Sequence, residues 1–212
     1  MNKREDIVRD FCSTAIRVFN EAIEDYHVSD SIDAEAQNRY EFKTIEYYLY
    51  LKCWIDTLQW HMEDIIRDPN IDPEEALRIK RRMDRCNQDR TDVVELIDSY
   101  FLELFEGVKV KPDATINTES PAWALDRLSI LQLKLYHMEI EVKRREECDE
   151  ELLSVNAKLS VLKEQNKDLA TAINQLLGEM ARGEKYMKVY KQMKMYNDPT
   201  LNPVLYGQSL QM

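Results

Sequence analysis

Glycine and proline are scarce in this 212-residue chain, four of the first and six of the second, so little interrupts long helices. No apolar run reaches the roughly 18 residues that a membrane helix needs, which excludes a span of that kind. The N-terminal Met1-Asn2-Lys3-Arg4-Glu5-Asp6 has two basic residues with no apolar run behind them, so no signal peptide is expected. Cysteines are few and scattered: Cys12, Cys53, Cys86 and Cys148 form no CxxC pair and no zinc-finger spacing. They read as small core residues in a reducing compartment, and a cytoplasmic location is expected. Basic charge is also short, with 29 Lys and Arg against 40 Asp and Glu and a net charge of -11. Nucleic-acid binding depends on counterions released around Lys and Arg, so no nucleic-acid partner is expected for such a surface. Gly-rich phosphate loops, nucleophile elbows, internal repeats and low-complexity tracts are missing too.

What the chain does have is apolar residues at helical spacing. Val8, Phe11, Ala15, Phe19, Ala22 and Tyr26 predict an amphipathic helix over about 4–27. After the acidic link Ser29 to Gln37, a second helix is expected over about 40–68, with the seam Ile45, Tyr48, Leu51, Ile55, Leu58, Met62 and Ile65. Asp72-Pro73-Glu74-Glu75 supplies an N-cap, a proline at the first helical position and a capping glutamate. The third helix follows along Ala76, Ile79, Met83, Cys86, Arg90, Val93, Ile97, Tyr100 and Leu104, and Gly107 ends it. Ser120-Pro121 starts the fourth. Its apolar residues, Leu125, Leu128, Ile130, Leu131, Leu133, Leu135, Met138, Ile140 and Val142, cover most of the circumference, so it is expected at the centre as the most buried helix.

From Leu152 the pattern continues as a coiled-coil-like heptad seam through Val155, Leu159, Leu162, Asn166, Leu169, Ile173, Leu176 and Met180. A turn near Glu146 to Asp149 is expected, because one helix from Pro121 to Arg182 would be roughly 90 Å long. The fold class is therefore all-α: an antiparallel bundle of about five long helices, residues 1–182. Tyr186, Tyr190, Met193 and Tyr196, with lysines between them, predict a basic amphipathic C-terminal helix, and Asn197-Asp198-Pro199 and Asn202-Pro203 an extended tail. Residues 183–212 are thus expected to pack as helix and tail on the bundle. The heptad seam pairs either within the chain or across a homodimer.

Polar residues on inward registers carry the candidate chemistry. His61 and Asp64 share one face of helix two, and Lys80, Asp84, Asn87 and Thr91 form a row on helix three. Arg90 sits on the third seam, and a buried guanidinium without a carboxylate costs about 3–5 kcal/mol, so contact with an acidic side chain is expected. Asp126, Arg127, Lys134 and His137 lie on helix four. If consecutive helices run antiparallel, His61 falls near Lys80 and Asp84, Arg90 level with His137, and Asp98 level with Asp126 and Arg127. His61, Asp64, Asp84 and His137 are accordingly the catalytic candidates, as general base and carboxylate partners. Lys80, Asn87, Arg90, Asp126 and Arg127 are the candidates for holding a small anionic ligand.

No metal or cofactor is expected. A di-iron bundle wants Glu-x-x-His on two helices, and only Glu24-Asp25-Tyr26-His27 matches. A magnesium site from Asp64, Asp84 and Asp126 suits the ligand chemistry but not the counted levels.

Several segments together are similar to a bacterial family, domain of unknown function 4254. They are Trp60-His61-Met62-Glu63-Asp64, Lys80 to Arg90, Asn117 to Pro121 with Asp126-Arg127-Leu128-Ser129-Ile130-Leu131, Lys134 and Tyr136-His137-Met138, and Lys194 to Tyr206. The resemblance spans almost the whole chain and implies an all-helical cytoplasmic protein. The Asp126 to Lys134 segment also resembles one in uncharacterised proteins associated with surface-glycan gene clusters, which implies a role in glycan or lipopolysaccharide metabolism. It implies no catalytic role for any residue. Two functions follow: a non-catalytic accessory or scaffold protein with a protein partner, or a phosphate- or sugar-nucleotide-binding enzyme with a polar site between helices two, three and four.

Overall fold

The computed structural model describes residues 7–145, 152–191, 195 and 198–209. Its elements are α1 (Phe11–Ser29), α2 (Ile45–Ile66), α3 (Pro73–Leu104), β1 (Thr115–Ile116), α4 (Pro121–Arg145), α5 (Leu152–Ala181), β2 (Lys185–Tyr186) and α6 (Pro203–Ser209). The fold is all-α, built on five long helices. The starts expected at Asp72-Pro73 and Ser120-Pro121 hold for chemical reasons, whereas α2 starts at Ile45 behind a Thr44 cap, later than the expected position near Tyr40. The Asp72 carboxylate accepts the Glu75 N–H ahead of Pro73, and the Thr44 hydroxyl accepts the Tyr47 N–H. Ser120 Oγ caps α4 by accepting the Trp123 N–H while donating to Asp98 Oδ2 at 2.8 Å. The turn expected near Glu146 to Asp149 lies outside the described residues.

Helix directions can be read from side-chain register. Arg90 meets Asp126 and Asp98 meets Ser120, so α3 and α4 are antiparallel. Gln132 meets Asn166 and Glu139 meets Lys163, so α4 and α5 are antiparallel too. The first pair differs. Cys53 Sγ contacts the Phe19 carbonyl, and eight residues further along both helices His61 lies against His27. Helices α1 and α2 are therefore parallel, joined by the crossover 30–44. That crossover is tied down by Arg39 to Asp25, by Asn38 to the Tyr47 carbonyl at 2.9 Å, and by Arg82 to Asp33 at 2.6 Å. The assumption that all consecutive helices alternate fails at this one connection, while the levels counted between α3 and α4 shift because Asp98, not Glu106, lies opposite Ser120.

Burial departs from expectation in two places. Helix α4 is buried only as far as Leu133, and α2, although shorter, buries as many residues. The buried face of α2 also takes in Leu49, Lys52, Cys53 and Asp56, a register beside the expected seam. Apolar spacing put the seam where hydrophobic residues recur, whereas the packing buries a lysine and an aspartate. The heptad seam of α5 is occupied by its own chain: Val155, Leu159, Ile173, Leu176 and Met180 are buried, and Asn166 accepts the Gln132 amide at 2.7 Å.

The lysine-rich segment does not form the expected helix over the described residues 184–191. Instead Lys185–Tyr186 pairs in parallel with Thr115–Ile116. Downstream, Pro203–Ser209 is helical where an extended tail was expected. The strand pair depends on Gly183, whose φ is +69° and whose carbonyl accepts the Lys111 N–H at 2.9 Å. A Cβ at this position would collide with the Lys109 carbonyl. Gly183→Ala is therefore expected to free residues 109–117 and 184–190 from each other. Hydrogen exchange should accelerate at the Lys111 and Thr115 amides while protection within α1 to α4 stays unchanged.

Candidate functional site

The polar groups inside the bundle form two clusters. One is ionic. Lys52 Nζ, 1 % exposed, donates to Asp56 Oδ2, to the Asp126 carbonyl at 3.0 Å and approaches Asp126 Oδ1 at 2.9 Å. Arg90 donates through Nε and Nη2 to the two oxygens of Asp126, at 2.8 and 2.6 Å, and lies 3.5 Å from Asp56. Ser129 Oγ donates to Asp56 at 2.6 Å. Two cations and two carboxylates thus cancel, and the expected acidic contact of Arg90 is present. Burial alone would raise Asp126, but Lys52 and Arg90 outweigh it and hold the carboxyl below its ordinary range. Burial, with Asp126 adding to it, pushes Asp56 above its ordinary range. The ammonium of Lys52 has acceptors on three sides, so this cluster reads as a cross-link among α2, α3 and α4. Its outer face floors a cleft of about 390 Å³ lined by Trp60, Asp64, Arg67 and Arg90.

The second cluster gathers every histidine in the chain. His27 is near the end of α1, His61 in the last turns of α2, and His137 in the second half of α4. One ring nitrogen from each lies within 4.8 Å of those of the other two. His61 Nε2 is 3.2 Å from His27 Nε2, and the three ring centroids are 5.1 to 5.6 Å apart. Aromatic rings hold each imidazole in place. Trp60 stacks on His137 with centroids 4.7 Å apart and planes 4° from parallel, Tyr26 stacks on His61 at 4.9 Å, and Tyr136 packs on His27 at 4.4 Å.

Protonation follows from these surroundings. Burial, then the charges of His61 and His27, push His137 down to about 4, and burial also lowers His61. His27 Nδ1 lies 2.7 Å from the Ile23 carbonyl, a partner that accepts only, so Nδ1 carries the proton and Nε2 presents a lone pair inward. A backbone acceptor behind a ligating imidazole is how metal sites fix the tautomer. His137 Nε2 is buried and has no hydrogen-bond partner among the described residues. In a tetrahedral zinc site with bonds of about 2.0–2.1 Å, nitrogens are about 3.3 Å apart. The His27–His61 separation already matches, and the residues fit an ion with small adjustments.

The other sequence candidates lie elsewhere. Lys80 and Asp84 pair with each other on the exposed face of α3, away from His61. Asn87 is half-buried, its carbonyl accepting from Thr91. Arg90 meets Asp126 and not the level of His137. Asp98 caps α4 through Ser120 and the Ala122 N–H, one turn before Asp126. Arg127 is exposed and pairs with Glu119 at 2.9 Å. Asp64 is exposed one turn beyond His61. No magnesium set forms from Asp64, Asp84 and Asp126, because the first two are on the surface and the third is spent on Lys52 and Arg90. Lys52 and Asp56 escaped the sequence reading, and His27 entered it only through the single Glu24-Asp25-Tyr26-His27 match and not as a site candidate. The available signal for His27 was that only three histidines occur and two were already candidates.

A family model described as "Protein of unknown function (DUF4254)" matches residues 46–189. The chain belongs to this family. The span matched in DUF4254 is narrower than the quoted segments suggested: it holds His61, His137 and the whole ionic cluster, and begins after His27. Neither a curated protein nor a solved structure matches the chain. No helix among the described residues is long and apolar enough to cross a membrane.

Proposed function

We propose that this DUF4254 protein is a metal-dependent enzyme acting on a small molecule, its divalent transition-metal ion held by His27, His61 and His137. The observation that carries the reading is the convergence of all three histidines from three helices, with burial lowering His61 and His137 and the His27 Nδ1 set against a backbone carbonyl. Three protein nitrogens plus an open position is the arrangement of catalytic zinc, whereas structural zinc is closed by four protein ligands. His27, His61 and His137 would hold the ion, which would supply Lewis acidity and a more acidic bound water, chemistry suited to a carbonyl or phosphoryl substrate. Hydrolysis is therefore the reaction class. The surface-glycan role implied by sequence resemblance rests on that resemblance alone, and the site's geometry does not select a sugar.

Zinc titration tests this. One equivalent should bind per chain, and a free concentration about a hundredfold above Kd should stabilise the fold by about 2.7 kcal/mol. For a chain of this size that raises Tm by about 5–10 °C. His61→Ala should abolish the shift. If wild-type protein binds no zinc, cobalt or iron, the imidazoles are core packing, and the accessory or scaffold role becomes the better reading.

A further inference from the structure

Asp30 follows Ser29 as the C-cap of α1, three residues beyond His27. Its backbone is left-handed, with φ 46° and ψ 48°, and its N–H bonds the Tyr26 carbonyl at 2.9 Å. Glycine is the usual residue in such a cap, since any Cβ there is strained. Glycine stands at two of the other left-handed positions, Gly107 and Gly183, and Lys43 at a third, with φ 71°. The charge is unfavourable too, because a carboxylate at a helix C-terminus faces the negative end of the helix dipole. A left-handed backbone tolerates aspartate, so the turn accounts for the backbone at position 30 but the helix gains nothing from its charge.

Among the described residues the carboxylate has one imidazole within 4 Å: Oδ1 lies 3.9 Å from His61 Nε2. Its side chain is 63 % exposed, so rotation toward the imidazoles meets little packing resistance. Asp30 lies outside the 4.8 Å grouping of the three imidazoles, so the carboxylate reaches a shared ion by side-chain rotation from its place beside His61.

Building on the metal centre proposed above, we infer that Asp30 is its fourth protein ligand. The set is then three imidazoles and one carboxylate, held five-coordinate with the last position left for solvent or substrate. The carboxylate reduces the charge of the centre from +2 to +1. It also adds a hard oxygen donor, which favours zinc, iron(II) or cobalt(II) over the thiophilic copper(I).

Cobalt(II) titration of the full metal-free chain, followed by visible absorption, tests the assignment. Asp30→Gly and Asp30→Asn both suit a left-handed backbone, so both should fold with Tm equal to or above the parent's. Each should still bind one cobalt per chain, with Kd raised about tenfold or more. Their d–d bands should shift as water replaces the carboxylate. Asp64→Asn, which removes the other nearby carboxylate, should bind like wild type. Asp30 variants with unchanged Kd and unchanged bands would overturn the fourth ligand and leave the three-histidine centre standing. Failure of wild type to bind cobalt, or full binding by His61→Ala, would overturn both.

Discussion

Asp126→Ala is expected to lower the free energy of unfolding by about 3–5 kcal/mol, a large share of the 5–15 kcal/mol typical of a domain. The reason is what it leaves behind. Lys52 keeps only Asp56 and the carbonyl of residue 126, Arg90 loses both strong acceptors, and two cations face one carboxylate in a buried site. Guanidinium unfolding should show a lower midpoint with the slope unchanged. Asp56→Asn should cost less, because burial and Asp126 already disfavour its charged form.

The pH dependence follows with opposite signs. The Asp126 carboxyl lies below its ordinary value, so its contribution is complete above about pH 4 and is lost as pH falls through the folded value. Asp56 lies above, so its contribution is present at low pH and declines as pH rises through the interval between ordinary and raised values. Asp126→Asn should therefore flatten the acid arm of the stability curve, and Asp56→Asn should not.

Replacing the group as a whole tests the structural reading of the cluster. Lys52→Met, Asp56→Leu, Arg90→Met and Asp126→Leu together should recover most of the loss, since apolar groups of similar volume often match a buried ion cluster. A single Asp126→Ala variant within 1 kcal/mol of the parent would mean that water reaches these charges and that the network does not brace the helices.

The contrast between the two clusters explains what was legible in the sequence. Arg90 was recognisable because an inward arginine on an apolar seam demands a carboxylate, and Asp126 meets that demand. Lys52 and Asp56 were not, because Lys and Asp four apart are also the pattern of an ordinary surface pair such as Lys80 and Asp84. Only packing separates the two cases. The histidine cluster was hidden by topology. Had α1 and α2 been antiparallel, His27 would sit beside the start of α2, 16 residues and about 24 Å from His61. The crossover 30–44 makes the pair parallel and brings their C-terminal ends together, and nothing in its composition announces that. Helix existence and caps depend on local chemistry, so they were readable. Helix direction across a long link depends on global packing, and no local pattern encodes it.

His137→Phe is expected to move stability and metal binding in opposite directions. In the metal-free protein His137 Nε2 is a buried acceptor or donor without a partner among the described residues. Such a group costs about 1–3 kcal/mol. Phenylalanine keeps a flat ring against Trp60, which stacks on His137 with nearly parallel planes, and removes the orphaned nitrogen. Fitting a slightly larger ring takes back part of the gain, so the chelator-treated variant should be more stable by about 1 kcal/mol. Zinc should then produce no thermal shift, and the ranking of the two proteins should reverse once zinc is added. A packing histidine predicts something else: the variant would be no more stable than the parent without metal, and zinc would affect both alike. The sign of the metal-free change matters more than its size. A residue whose replacement strengthens the empty fold is retained for something other than folding, and here that is a ring nitrogen within 4.8 Å of those of His27 and His61.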